Sequence, residues 1–418
     1  MLQNPPQGKP QVAWLVVVSW SMVIFATIPL ARRIGEFVAW QWGKQVFTYT
    51  VLAAIAVALA AAVFYVARHR SVVAGSLIWL VAAAAVFVAY TVQLGKKSPE
   101  EAIHFVQYGV LGVLVFRALA FQRHDVSIYF SAAVICGVIG TVDEIIQWLV
   151  PQRHWDLRDV WINFFAAALV QVVIVKGLKP TYIAMRPGAG SIRFLCRLLA
   201  TAAALMGVCM LNTPARIAWY AERIPGLGYL KHNESVMAEY GYRYEDPDIG
   251  VFHSRLSPDA LQQADRQRAA EAAGILNIYR GRSGYKDFLG IYTPVSDPFL
   301  HEARVHLFSR DANFSWAMEG GENSDIYTLA LNTAYRENQI VETYFPNTLR
   351  ASDYSWSADQ LEVAKKNMLP DKAFSSWVSR HLITRFTEFQ IGTFFALLTL
   401  AFLLLDFYLK RYQVRSSR

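Results

Sequence analysis

Cysteine is scarce in this chain. Only Cys136, Cys196 and Cys209 occur among 418 residues, and all three lie in apolar runs. The polar stretch 212–388 has none, so no disulfide framework supports it. It is long enough to build a core without one. Acidic residues are scarce everywhere else: 212–388 carries 19 Lys and Arg against 23 Asp and Glu, and the remainder 21 against 9. A formal charge of +8 would suggest nucleic acid in a soluble protein. Here the basic excess sits in short loops between apolar runs, where it acts as an orientation signal, and this excludes nucleic-acid binding. Internal repeats and low-complexity tracts are missing as well.

What is present is apolar residue in blocks. The chain is 54% hydrophobic, and most of it outside 212–388 reads as runs of ~20 residues, each able to cross ~30 Å of hydrocarbon. The expected spans are 12–31, 46–67, 72–92, 103–121, 127–149, 159–177, 193–211 and 389–409. They predict an all-α polytopic membrane protein of about eight spans, with a mostly helical, partly stranded domain between the last two. The tail (Lys410, Arg411, Arg415, Arg418) and the stretch from Lys176 to Arg197 contain only basic charges. Both therefore belong in the cytoplasm, which also places the N-terminus inside and 212–388 outside. Arg68, Arg70, Arg117 and Arg123 agree with this alternation; the first loop, with Arg32, Arg33 and Lys44 against Glu36, does not. The first run is too long and uninterrupted for a cleaved signal peptide and reads as a retained anchor. Asp406, one turn before Lys410, is expected to pair with it at the interface.

Ionisable groups in apolar spans are costly, and three consecutive spans have them toward the same, outer, end. In the fourth, His104, Tyr108 and Gly112 are spaced i, i+4, i+8 and stack on one helix face, with Glu101 one turn earlier. In the fifth, Gly137, Gly140, Thr141 and Glu144 form a small-residue face that lets a neighbour approach, and Asp143 and Gln147 sit on an adjacent one. The link Pro151–Asp159 brings Arg153, Asp156 and Arg158 to the sixth span, where Asp159 and Asn163 share a face. Three chemistries fit this constellation. Arg153 with His104 suits a phosphate or carboxylate head group; His104 with a carboxylate suits acid–base work; the carboxylates with His104 suit a divalent cation. Against these stands an architectural role, with Asp156 or Asp159 capping the sixth span.

The three linked motifs, Glu101–Gly112, Gly140–Gln147 and Pro151–Asn163, resemble the VanZ-like membrane protein family over roughly residues 70–178. The positions matching the family's polar residues are His104, Tyr108, Asp143, Glu144, Gln147, Arg153, Asp156, Asp159 and Asn163. Many members carry Asp-Lys ahead of the histidine; Glu100-Glu101 stands here instead, with Lys96 and Lys97 further back. The resemblance implies a bacterial cytoplasmic-membrane protein of the cell envelope, linked through the family's namesake to teicoplanin resistance. On that basis the outer-leaflet cluster would bind or process an anionic, lipid-linked envelope precursor. His104, Asp143, Glu144 and Asp159 would supply its chemistry, and Arg153, Tyr108, Gln147, Asp156 and Asn163 would hold the ligand. The residues leave open whether it is an enzyme, and whether a metal or cofactor takes part. The rivals are a non-catalytic assembly or shielding factor, whose outer domain recruits partners, and a transporter. The last is weakest, since no inverted repeat is visible.

In the polar domain, Tyr240–Leu256 predicts two short strands about Asp246-Pro247-Asp248. Ser257-Pro258-Asp259 predicts a capped helix start. Further helices are expected at Asp297–Asp311, Ile326–Phe345 (with a strand as the alternative) and Ser357–Met368, and a loop at Gly320–Ser324. His301 and His306 are five apart, where a helical zinc motif needs four. Glu302, His306 and Arg310 share a face that reads as a solvated charge ladder. Tyr279, Tyr285, Tyr292, Trp316, Tyr354 and Trp356 read as core or bilayer-facing rather than as a ligand surface.

Overall fold

A backbone in hydrocarbon must satisfy its own hydrogen bonds, so the apolar runs are bound to be helical. The computed structural model describes residues 5–69, 74–97, 101–151, 153–233, 235–320 and 325–416. Its helices are α1 (Pro10–Trp42), α2 (Gln45–His69), α3 (Ala74–Lys97), α4 (Glu101–Leu119), α5 (Ser127–Leu149), α6 (Leu157–Val172, continued by a π-helical turn Val173–Leu178) and α7 (Ala189–Met210). There follow α8 (Pro214–Arg223), strands β1 (Tyr242–Asp246) and β2 (Gly250–Ser254), α9 (Pro258–Ile278), α10 (Gly281–Leu289), α11 (Pro298–Gly320), α12 (Asp325–Tyr344), α13 (Pro346–Ala351), α14 (Ala358–Lys366) and α15 (Glu388–Ser416). Eight helices, α1–α7 and α15, are long and apolar enough to cross a membrane. They fall where the hydropathy runs put them. The one large difference in extent is α1, which continues through Pro29 to Trp42 over ground expected to be loop.

The chain divides into two compact units, 1–209 with 393–418, and 210–392. In the first, the membrane unit, the core is built on α4, α5 and α6 from Phe105, Leu111, Val115, Ile128, Ala132, Ile162 and Ala166. Small residues bring these helices together. A side chain at Gly112 would lie 3.3 Å from the Ala167 backbone, and one at Gly137 would lie 3.1 Å from the Phe164 ring. Gln171 Nε2 donates to the Gly112 carbonyl at 3.0 Å, closing the α4–α6 seam. Asp406 pairs with Arg193 at 2.8 Å and Arg197 at 3.0 Å on α7 rather than with Lys410. Bidentate guanidinium partners from another helix outcompete an ammonium on its own.

The second, polar unit has the expected hairpin, antiparallel with Tyr244 opposite Phe252. Asp246 Oδ1 accepts from the amides of Asp248 and Ile249 and so shapes its turn. Ser257 caps α9 through the Ala260 amide. A capping box of Ser357 and Gln360 opens α14. Residues 325–344 are helix, not strand, and α11 runs nine residues beyond Asp311. The expected loop at Gly321–Ser324 lies outside the described residues. The core gathers Phe252, Leu276, Phe288, Phe299, Leu300, Ile340 and Phe345, with Tyr279, Tyr292 and Tyr354 packed among them; Trp316 is exposed. One expectation is overturned. Glu302, His306 and Arg310 are not solvated but fully buried, because α12 packs along that face of α11 and brings partners: Glu337 to His306 at 2.7 Å and Asn338 to Arg310 at 3.0 Å.

Candidate functional site

The polar cluster forms where α4, the end of α5 and the start of α6 meet. Gly140 makes the meeting possible. A Cβ there would lie 3.0 Å from Asn163 Cβ and 3.4 Å from Tyr108 Cε1, so only hydrogen lets all three spans close. Tyr108 is fully buried, and its hydroxyl donates to Asp143 Oδ2 at 3.1 Å. Gln147, one turn after Asp143, donates to Glu144 Oε1 at 2.9 Å. The Asp156 amide lies 3.5 Å from the other Glu144 oxygen. Asp143, Glu144, Gln147 and Asn163 are all buried.

Arg153 enters from the α5–α6 link, partly buried, and its charge reaches both His104 and Asp143. Three polar atoms here are buried and lack a hydrogen-bond partner among the described residues: His104 Nδ1, Asp143 Oδ1 and Arg153 Nε. Buried polar groups are normally paired, so a donor, an acceptor and a switchable ring nitrogen left open in one cluster mark a place for a ligand or water.

Not every expected ligand residue points there. Asp156 caps α6, accepting from the Arg158 amide at 2.7 Å, and is half-exposed beside the Arg158 side chain. Its position is explained by the helix start, worth about 1 kcal/mol. Asp159 lies 3.6 Å from Arg158 and acts on Glu144 electrostatically. The Glu101 side chain and Glu100 lie outside what is described. Among the described residues, no three His, Cys, Asp or Glu side chains are grouped to hold a metal ion. Arg153 with His104 has the donors that suit an anion.

A second ionisable network, in the polar unit, is invisible in the sequence. Arg255 Nε donates to Glu239 at 2.5 Å, its Nη1 donates to Ser379 at 3.0 Å, and its backbone amide donates to Glu302 at 3.0 Å. His381 lies 3.1 Å from the other Glu239 oxygen. Burial opposes ionisation of Glu239, but the His381 hydrogen bond and the Arg255 guanidinium outweigh it and hold the carboxyl down at about 2. Burial, with Arg255 nearby, lowers His301 to about 4, and its Nδ1 lies 2.8 Å from the Tyr292 carbonyl. The partners are 16 to 142 residues apart along the chain, so no local spacing announces them. The network ties three distant segments together as a brace.

Comparison with family models, curated proteins and solved structures finds no match. The chemistry of the cluster rests on its own geometry.

Proposed function

We propose that the chain is a multi-pass protein of the bacterial cytoplasmic membrane whose α4–α5–α6 cluster recognises the anionic head group of a lipid-linked envelope precursor. In this reading both termini are cytoplasmic, residues 212–388 face outward, and the cluster works at the outer leaflet. The observation that carries it is the pair of buried nitrogens, His104 Nδ1 and Arg153 Nε, that have no hydrogen-bond partner among the described residues. Arg153 supplies the charge and the planar donor that phosphate or carboxylate requires. His104, with a free ring nitrogen beside the bound anion, takes or gives a proton there. Tyr108 fixes Asp143, and Gln147 fixes Glu144, so that neither carboxylate swings into the anion's place. The VanZ-like motifs point the same way, toward an envelope role and glycopeptide resistance.

A non-catalytic role in envelope assembly is the second reading. It is favoured by Asp156, whose carboxylate serves the start of α6.

The two readings separate experimentally. Under the first, Arg153→Ala with His104→Ala leaves the chain folded, with an unchanged thermal midpoint, but removes the phosphorylated lipid that co-purifies with the wild type. If the variant instead melts several degrees lower and the wild type carries no such lipid, the cluster is scaffolding.

A further inference from the structure

A crevice of about 800 Å³ opens in the membrane unit away from the polar cluster. It lies among α2, α3, α4, α6 and the segment Pro5–Gln7 ahead of α1, with walls of Ala58, Ala84, Gly109, Val113, Val170 and Ile174. On α4 its residues, Val106 through Val113 to Arg117, fall on the side opposite His104 and Tyr108. At about 100° per residue Val113 is turned roughly 180° from His104. The crevice and the cluster thus use opposite faces of one helix.

Volume and lining match those of a small-molecule site, largely apolar with a few polar groups. Its polar lining residues are Gln7, Arg117 and Tyr182, and Arg117 has no acidic partner among the described residues. Asp125, the acid nearby in sequence, is engaged by the amides of Ser127 and Gly188. Part of the wall is the π-helical turn Val173–Leu178, an irregularity met mostly where a helix serves a function. That turn closes tightly on α3, since a side chain at Gly177 would lie 2.6 Å from Leu80.

Depth identifies the occupant. From Val106 to Arg117 the lining runs eleven residues along α4, and Ala120 continues it just past the helix end; the helical part is about 16 Å long at 1.5 Å per residue. One leaflet of a bilayer with a ~30 Å core is about as deep. A guanidinium with no acidic partner among the described residues, with Lys176 and Arg123 at the same end of the spans, calls for a phosphate. We propose that this crevice seats one anionic glycerophospholipid of the surrounding leaflet, its acyl chain along α4 and its phosphate on Arg117. This site is separate from the polar cluster and stands whether or not that cluster binds a ligand.

The test is native mass spectrometry of the full chain in mild detergent with equal phosphatidylglycerol and phosphatidylethanolamine. Wild type retains one phosphatidylglycerol in preference. Arg117→Ala lowers that retention about tenfold, as loss of a charged hydrogen bond should. Ala84→Trp, or Ala58→Phe on the opposite wall should the first not fold, fills the crevice and abolishes it. Gly274→Ala in α9, where an added Cβ would meet nothing within 4 Å, leaves it unchanged. Retention unaffected by Arg117→Ala and by the folded filling variant overturns the proposal. So does preferential retention of a neutral lipid or a polyprenyl phosphate.

Discussion

At the scale of single residues, the cluster depends on an absent side chain. A Cβ at Gly140 would lie 3.0 Å from Asn163 Cβ, close enough that the neighbour must give, and 3.4 Å from Tyr108. Gly140→Val should therefore push α5 from α6 and break the Tyr108–Asp143 hydrogen bond, at a cost of about 1–3 kcal/mol. A lowered thermal midpoint together with lost ligand retention is expected. Gly190→Ala is the control: its Cβ would meet nothing within 4 Å, and a helical alanine should be neutral or stabilising. Equal loss in both variants would contradict this account. Much at this scale was legible. The i, i+4 spacing of His104 and Tyr108 and the small residues at Gly137 and Gly140 announce a polar face and a close approach. Which polar atoms stay open was not legible, because that depends on where Arg153 lands after a turn.

At the scale of elements, α11 shows where sequence reading stops. Its positions 302, 306 and 310 share a face in any helix, and their spacing is the same whether water or protein covers that face. Coverage was decided by α12 and by Arg255, 47 residues before Glu302, and no local pattern encodes them. Burial has a consequence for pH. Glu239 lies at about 2 against an ordinary 4.5, so its stabilisation is complete above pH 4.5 and disappears as pH falls toward 2. His301 lies at about 4 against 6.5; the unfolded chain takes up that proton first, so stability is also lost as pH falls from 6.5 to 4. Each shift is worth on the order of 3 kcal/mol. The thermal midpoint of the polar unit should fall steadily from pH 7 to 4.5. His301→Gln should flatten that part of the curve, and a wild-type midpoint independent of pH would refute the assignment. The hairpin, the α9 cap and the α14 start needed no such distant partner. They follow from Asp246, Ser257 and Gln360, all of which act within four residues.

At the scale of the molecule, composition alone separated an acidic polar stretch from basic apolar runs, and the same division reappears as two compact units. Eight helices able to span a membrane follow from hydropathy, because the bilayer leaves the backbone little choice. The membrane unit is polar on one face of α4 and hollow on the other. This arrangement gives it two chemically distinct places, a polar cluster and a largely apolar crevice. On the reading proposed above, the cluster is a site and not merely a joint. Electron cryomicroscopy of the full chain in nanodiscs of bacterial lipid extract tests it directly. A phosphate- or carboxylate-sized density is expected within ~3 Å of Arg153 Nε and His104 Nδ1. Finding those two atoms satisfied by the chain itself or by water alone would contradict that reading.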